Sequence, residues 1–81
     1  MKVEVRLFAA ARELAGKPAV EAELPDDATV ADLRRWLAEA FPDLEPLLRS
    51  AAFALDAEYA VDDAPLSDGA EIACIPPVSG G

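Results

Sequence analysis

With 81 residues, 53% of them hydrophobic, the chain has room for one domain and one modest core, and its composition argues against disorder. Sixteen Asp and Glu against seven Lys and Arg give a net charge of −9, which excludes nucleic-acid binding, disfavours anionic membranes and favours basic partner surfaces. A single cysteine, Cys74, and no histidine exclude an internal disulfide, a histidine-based metal site and a histidine general base.

Val3, Val5 and Leu7 alternate with Lys2, Glu4 and Arg6, which predicts a half-buried first strand. Phe8 follows, and Ala9 to Ala15 read as a short helix of strong formers closed by Gly16. Val20, Ala22 and Leu24 alternate with Glu21 and Glu23 in a second strand, and Pro25-Asp26-Asp27 is a turn. Thr29 is a good N-cap, and Asp32 three residues on makes a capping-box pattern. Val30, Leu33, Leu37, Ala40 and Phe41 then form one apolar stripe at helical spacing, ended by Pro42. Trp36 flanks that stripe, and Leu44, Leu47 and Leu48 around Pro46 predict an irregular turn that plugs the open side of the core.

Ala52 to Leu55 and Tyr59 to Val61 read as two short strands joined through Asp56-Ala57-Glu58. Ser67-Asp68-Gly69 is a turn, and Glu71 to Ile75 is the last strand, with Cys74 as a small core residue. A mixed sheet of about five strands wrapped on one main helix hides the single apolar helix face. This is the α+β, ubiquitin-like β-grasp arrangement, with the first and last strands parallel at its centre. No apolar run approaches the ~20 residues needed to cross a bilayer. Met1-Lys2 leads straight into a strand pattern without a signal-peptide layout, so a cytoplasmic location is expected.

After the last strand come Pro76 and Pro77, which cannot donate ladder hydrogen bonds, then Val78-Ser79-Gly80-Gly81. The expected division is a domain over 1–75 and an extended, flexible tail over 76–81. Six residues at about 3.3 Å each reach about 20 Å, enough to enter a neighbouring protein's pocket. Glycine has no Cβ, so Gly80 and Gly81 fit a slot too narrow for other residues. A carboxylate on Gly81 can be activated with ATP as an acyl adenylate and passed to a nucleophile. A small, polar chain end with no role is the plainer alternative. For docking of the body, Phe8, Tyr59, Ile75 and Val78 are the candidates, although Phe8 and Ile75 fit ordinary core positions equally well.

Several blocks together resemble a known family: Leu7-Phe8-Ala9, Arg12-Glu13-Leu14-Ala15-Gly16, Ala28-Thr29-Val30-Ala31-Asp32-Leu33, Pro65-Leu66-Ser67-Asp68-Gly69 and Ile75-Pro76-Pro77-Val78-Ser79-Gly80-Gly81. Nearly the whole chain is similar to the small subunits of molybdopterin synthase, the sulfur carriers of molybdenum cofactor biosynthesis. The family often has Asn at the tight turn where this chain has Asp56, and an acidic residue is common where it has Ala70. The resemblance implies that an adenylyltransferase similar to ubiquitin-activating enzymes adenylates Gly81. Sulfur from a persulfide donor then leaves a thiocarboxylate (1-thioglycine) there. It implies that Pro76, Pro77, Val78, Ser79 and Gly80 insert into the large catalytic subunit. The thiocarboxylate would give its sulfur to precursor Z, the cyclic pyranopterin monophosphate, to build the molybdopterin dithiolene. It implies a heterotetramer of two small and two large subunits, no catalytic group and no cofactor bound by the small subunit itself, and ATP used only by the activating enzyme. Carriers for thiazole formation or tRNA thiolation, ubiquitin-like modifiers that form isopeptides, and a passive interaction module are the alternatives. A stand-alone enzyme fits least, because the sequence shows no nucleophile–base pair, phosphate-cradling loop or metal-ligand cluster.

Overall fold

The computed structural model describes residues 1–77; Val78, Ser79, Gly80 and Gly81 lie outside the described residues. Strand β1 (Lys2–Leu7) keeps the alternation of its sequence, with Val3, Val5 and Leu7 buried and Lys2, Glu4 and Arg6 exposed. Helix α1 (Ala9–Ala15) ends at Gly16, whose φ of 76° is left-handed and whose N–H donates to the Arg12 carbonyl at 3.0 Å. Strand β2 (Ala19–Glu23) returns antiparallel to β1, pairing Val5 with Val20 and Val3 with Ala22.

Helix α2 (Val30–Ala40) is the main helix, and Val30, Leu33 and Leu37 are fully buried. Its capping box is formed: the Asp32 carboxylate accepts the Thr29 N–H at 2.9 Å and the Thr29 hydroxyl at 3.2 Å. These bonds hold the Asp32 pKa below its ordinary value, chiefly through the backbone N–H. The next amides of the first turn find partners in a distant segment, Val30 donating to Ala64 O and Ala31 to Asp62 O, both at 3.0 Å. Phe41 takes an extended conformation ahead of Pro42, and the helix stops there.

Ala40 stands exposed, not on the buried stripe as expected. Ala40 is the last residue of the helix, and the next buried residue is Leu44 in the following 3₁₀ turn (Pro42–Leu44). Leu44 and Leu48, the latter in α3 (Glu45–Leu48), are buried and close the core, with Leu47 half-buried beside them; Trp36 packs against its edge.

Strands β3 (Ala52–Leu55) and β4 (Glu58–Ala60) form a hairpin with Phe53 opposite Ala60 and Ala54 opposite Tyr59. The turn is the two-residue Asp56-Ala57 pair with φ of 49° and 72°; positive φ at both positions is the primed-turn geometry that matches strand twist. β4 therefore begins one residue earlier than expected and leaves Val61 74% exposed. Strand β5 (Glu71–Ile75) inserts between β1, parallel, and β3, antiparallel. The sheet order is β2-β1-β5-β3-β4, a mixed five-stranded sheet with α2 packed on one face. The β-grasp expectation holds, including the parallel β1–β5 pair. Among the described residues no helix covers the other face of the sheet along Ala54, Tyr59 and Ala73.

Candidate functional site

Strand register decides what that face carries. Arg6 pairs with Ala73, Ala73 with Ala54 and Ala54 with Tyr59, so one row crosses β1, β5, β3 and β4 with two small apolar residues between an arginine and a tyrosine. One row nearer the end of β5, Ile75 pairs with Ala52. Phe8 follows β1 at that same end, 45% exposed, while Tyr59 is 76% exposed and Ile75 half-buried. Phe8, Ala54, Ala57, Tyr59, Ala73 and Ile75 line one shallow groove with a cavity volume of about 390 Å³. Three of the four docking candidates read from the sequence thus come together, Val78 lying outside the described residues, and neither Phe8 nor Ile75 is a core residue.

Toward the start of β1 the same face is acidic. Glu4 lies directly opposite Glu21 on β2 and Glu71 on β5, three carboxylates in one cross-strand row. Like charges so placed repel. Lys2, 3.8 Å from Glu21, is the one cation in ion-pair contact with this row among the described residues. An apolar groove continuous with an acidic strip suits a partner surface with an apolar centre and a basic rim.

β5 leads from this groove toward the tail. Pro76 is still buried against the body, and Pro77 is exposed. The remaining tail residues singled out in the sequence, Gly81 above all, lie outside the described residues.

Cys74 points the other way, into the core, at 1% exposure. Burial pushes its thiol up to about 11, with the positive charge of Arg34 opposing. A thiol so placed is a packing group and not a nucleophile at neutral pH. Because the folded pKa lies above the unfolded value of 9.0, its contribution to stability is complete below pH 9 and is lost as pH rises toward 11. Native protein is therefore expected to resist thiol alkylation at pH 8 and to react fully in denaturant. Melting curves of the parent should fall between pH 9 and 11 by more than those of Cys74→Ala. Rapid alkylation of the native state would contradict this placement.

Sequence reasoning missed Arg34. Its Nη1 donates to Leu48 O at 2.5 Å and to Ala51 O at 2.8 Å, and its Nη2 donates to Asp62 Oδ1 at 2.6 Å. The guanidinium also stacks over the Phe53 ring, 4.9 Å from its centroid. It joins α2 to the end of α3 and to the segment that caps α2. The only signal in the sequence was a cation adjacent to the apolar stripe. Among the described residues there is no group of three or more His, Cys, Asp or Glu placed to hold a metal ion, and no helix long and apolar enough to cross a membrane.

The model of the ThiS family matches residues 5–81. The chain belongs to the ThiS family. The molybdopterin synthase sulfur carrier subunit of Chlamydomonas reinhardtii is 41% identical, with the whole of both chains covered. Among solved structures, SAMP1 from Haloferax volcanii, a small archaeal modifier protein, superposes with a TM-score of 0.88 at 32% identity over the full length of both chains. A chain in a protein–protein complex of subunits 1 and 2 of molybdopterin-converting factor from Helicobacter pylori matches at TM-score 0.70 and 29% identity, again with both chains fully covered. This ThiS-family chain thus shares both its sequence pattern and its β-grasp frame with these proteins.

Proposed function

We propose that this chain is the sulfur carrier subunit of a molybdopterin synthase. The observation that carries the reading is end-to-end similarity, at 41% identity, to a protein of that name. The docking groove beside the start of the Pro-Pro-Val-Ser-Gly-Gly segment supports it. The Gly81 carboxylate attacks the α-phosphate of ATP on an activating enzyme, and pyrophosphate leaves. The outer sulfur of a persulfide donor displaces AMP at the acyl carbon to give an acyl disulfide, and a second thiol then attacks the donor sulfur, forming a disulfide with it and releasing the thiocarboxylate. Adenylation makes a poor leaving group into a good one, and sulfur is a softer nucleophile than oxygen. The tail then enters the large catalytic subunit, where the thiocarboxylate sulfur passes to precursor Z; two such transfers build the dithiolene.

The body contributes docking and no general acid or base, so phosphate-binding and proton-transfer groups belong to the partners. A closed, water-poor channel around the tail would strengthen their interactions with the reacting end. The chain itself binds no cofactor in this scheme, and ATP stays on the activating enzyme. The working assembly is two small and two large subunits in the cytoplasm.

A second reading, a protein modifier that forms an isopeptide between Gly81 and a partner lysine, is favoured by the likeness to the archaeal modifier protein. One experiment separates the two. The purified chain is incubated with ATP, an activating enzyme and a sulfide source, and its intact mass is measured. The carrier reading expects one sulfur-for-oxygen exchange mapped to Gly81, followed by conversion of precursor Z once the large subunit is added. Exchange without conversion would reject the molybdopterin pathway, and covalent ladders with no exchange would favour the modifier.

A further inference from the structure

Three non-glycine residues among those described have left-handed backbone, Ala9 at φ 50°, Asp56 at 49° and Ala57 at 72°; Ala57 lines the groove, and Ala9 and Asp56 are chain neighbours of the lining residues Phe8 and Ala57. Asp56 and Ala57 make the turn that carries Tyr59. An L-residue with a Cβ pays sterically for this conformation, and the second position of a primed hairpin turn favours glycine. Strain of this kind collects where a surface has a job beyond folding.

We infer that Ala57 is a specificity-determining contact of the docking groove, its methyl retained against the turn's preference for glycine in order to receive one apolar side chain of the large synthase subunit. The inference rests on the function proposed above. The occupant follows from reach. Four residues follow Pro77 and extend at most about 13 Å, so a partner that accepts Gly81 in its active site stands within that distance of Pro77, and Ile75, two residues earlier, lines this groove. The groove is apolar, with small residues (Ala54, Ala73) as its floor and the rings of Phe8 and Tyr59 among its other lining groups. It fits an aliphatic or phenyl group and offers nothing to a charged one.

The test is a calorimetric titration of the cognate large subunit with the parent, Ala57→Gly and Asp56→Gly, at a salt concentration that screens exposed charge. Ala57→Gly relieves a left-handed alanine and is expected to raise the melting temperature by about 4–8 °C; aspartate tolerates this conformation, so Asp56→Gly is expected to melt close to the parent. Ala57→Gly is expected to bind about fourfold more weakly, the worth of one buried methyl. Asp56→Gly, which removes nothing from the groove, is expected to bind as the parent does. Parent-like affinity of Ala57→Gly overturns the inference while leaving the carrier function standing. Equal weakening by both variants overturns it too, since turn rigidity and not the methyl would then be what the partner requires. A melting temperature that does not rise for Ala57→Gly removes its premise. A parent chain that does not bind the large subunit defeats both the inference and the function beneath it.

Discussion

Gly80→Ala is expected to melt where the parent melts and to form thiocarboxylate at least about 100-fold more slowly, the loss that about 1 Å of misplacement at a reacting centre produces. The argument turns on where each glycine acts. Gly16 works inside the fold: its φ of 76° closes α1, and a Cβ there would meet nothing within 4 Å but would sit on strained backbone. Gly16→Ala should therefore lower stability by about 1 kcal/mol and leave the yield per folded molecule unchanged. Gly80 lies beyond the last strand, and its proposed role is to pass through a partner's channel. The two substitutions should dissociate, one moving the melting curve and the other moving the product. Thermal melts paired with intact-mass measurement of thiocarboxylate read both. Full yield from folded Gly80→Ala would reject the narrow-channel account, and a shifted melting curve would place Gly80 in the fold.

Periodicity made most of the frame legible. Alternation in Lys2–Leu7 and the 3–4 spacing from Val30 to Leu37 each impose one buried face, and five strands with one main helix have few ways to hide those faces together. Boundaries slipped where backbone conformation, not side-chain pattern, decides. Nothing in the residue types Asp56 and Ala57 announces two consecutive positive φ values, so the β3–β4 turn came out one residue too long and Val61 was counted in the strand. The groove was legible only in part for a related reason. Phe8, Tyr59 and Ile75 are large enough to be noticed, but Ala54 and Ala73 become a groove floor only through cross-strand register, which one sequence does not display. Arg34 was hidden because an arginine beside a helix stripe reads as solvated unless its acceptors are known, and these lie 14 to 28 residues away.

Arg34→Ala is expected to be the most destabilising single change on the surface of this protein. The side chain is 23% exposed and donates to two main-chain carbonyls, so its removal leaves the Leu48 and Ala51 oxygens without their charged donor. It also removes the Asp62 pair and the stacking on Phe53. Summed with overlap allowed for, the loss is about 3 kcal/mol. A domain of this size is stable by only about 4–12 kcal/mol, so its melting temperature should fall by about 12–24 °C. Arg34→Lys should recover less than half of this, because an ammonium cannot bond three oxygens in one plane and lie flat on a ring. The loss should couple to Asp62, whose backbone carbonyl accepts the Ala31 N–H at the start of α2. In a double-mutant cycle Arg34→Ala and Asp62→Ala should cost less together than the sum of their separate costs. The groove lies on the opposite face of the sheet from α2, so molecules of Arg34→Ala that remain folded should bind the large subunit with parental affinity. A fall in melting temperature below about 4 °C would mean that these bonds are exchanged for water at no cost, and that α2 is held by its apolar stripe alone.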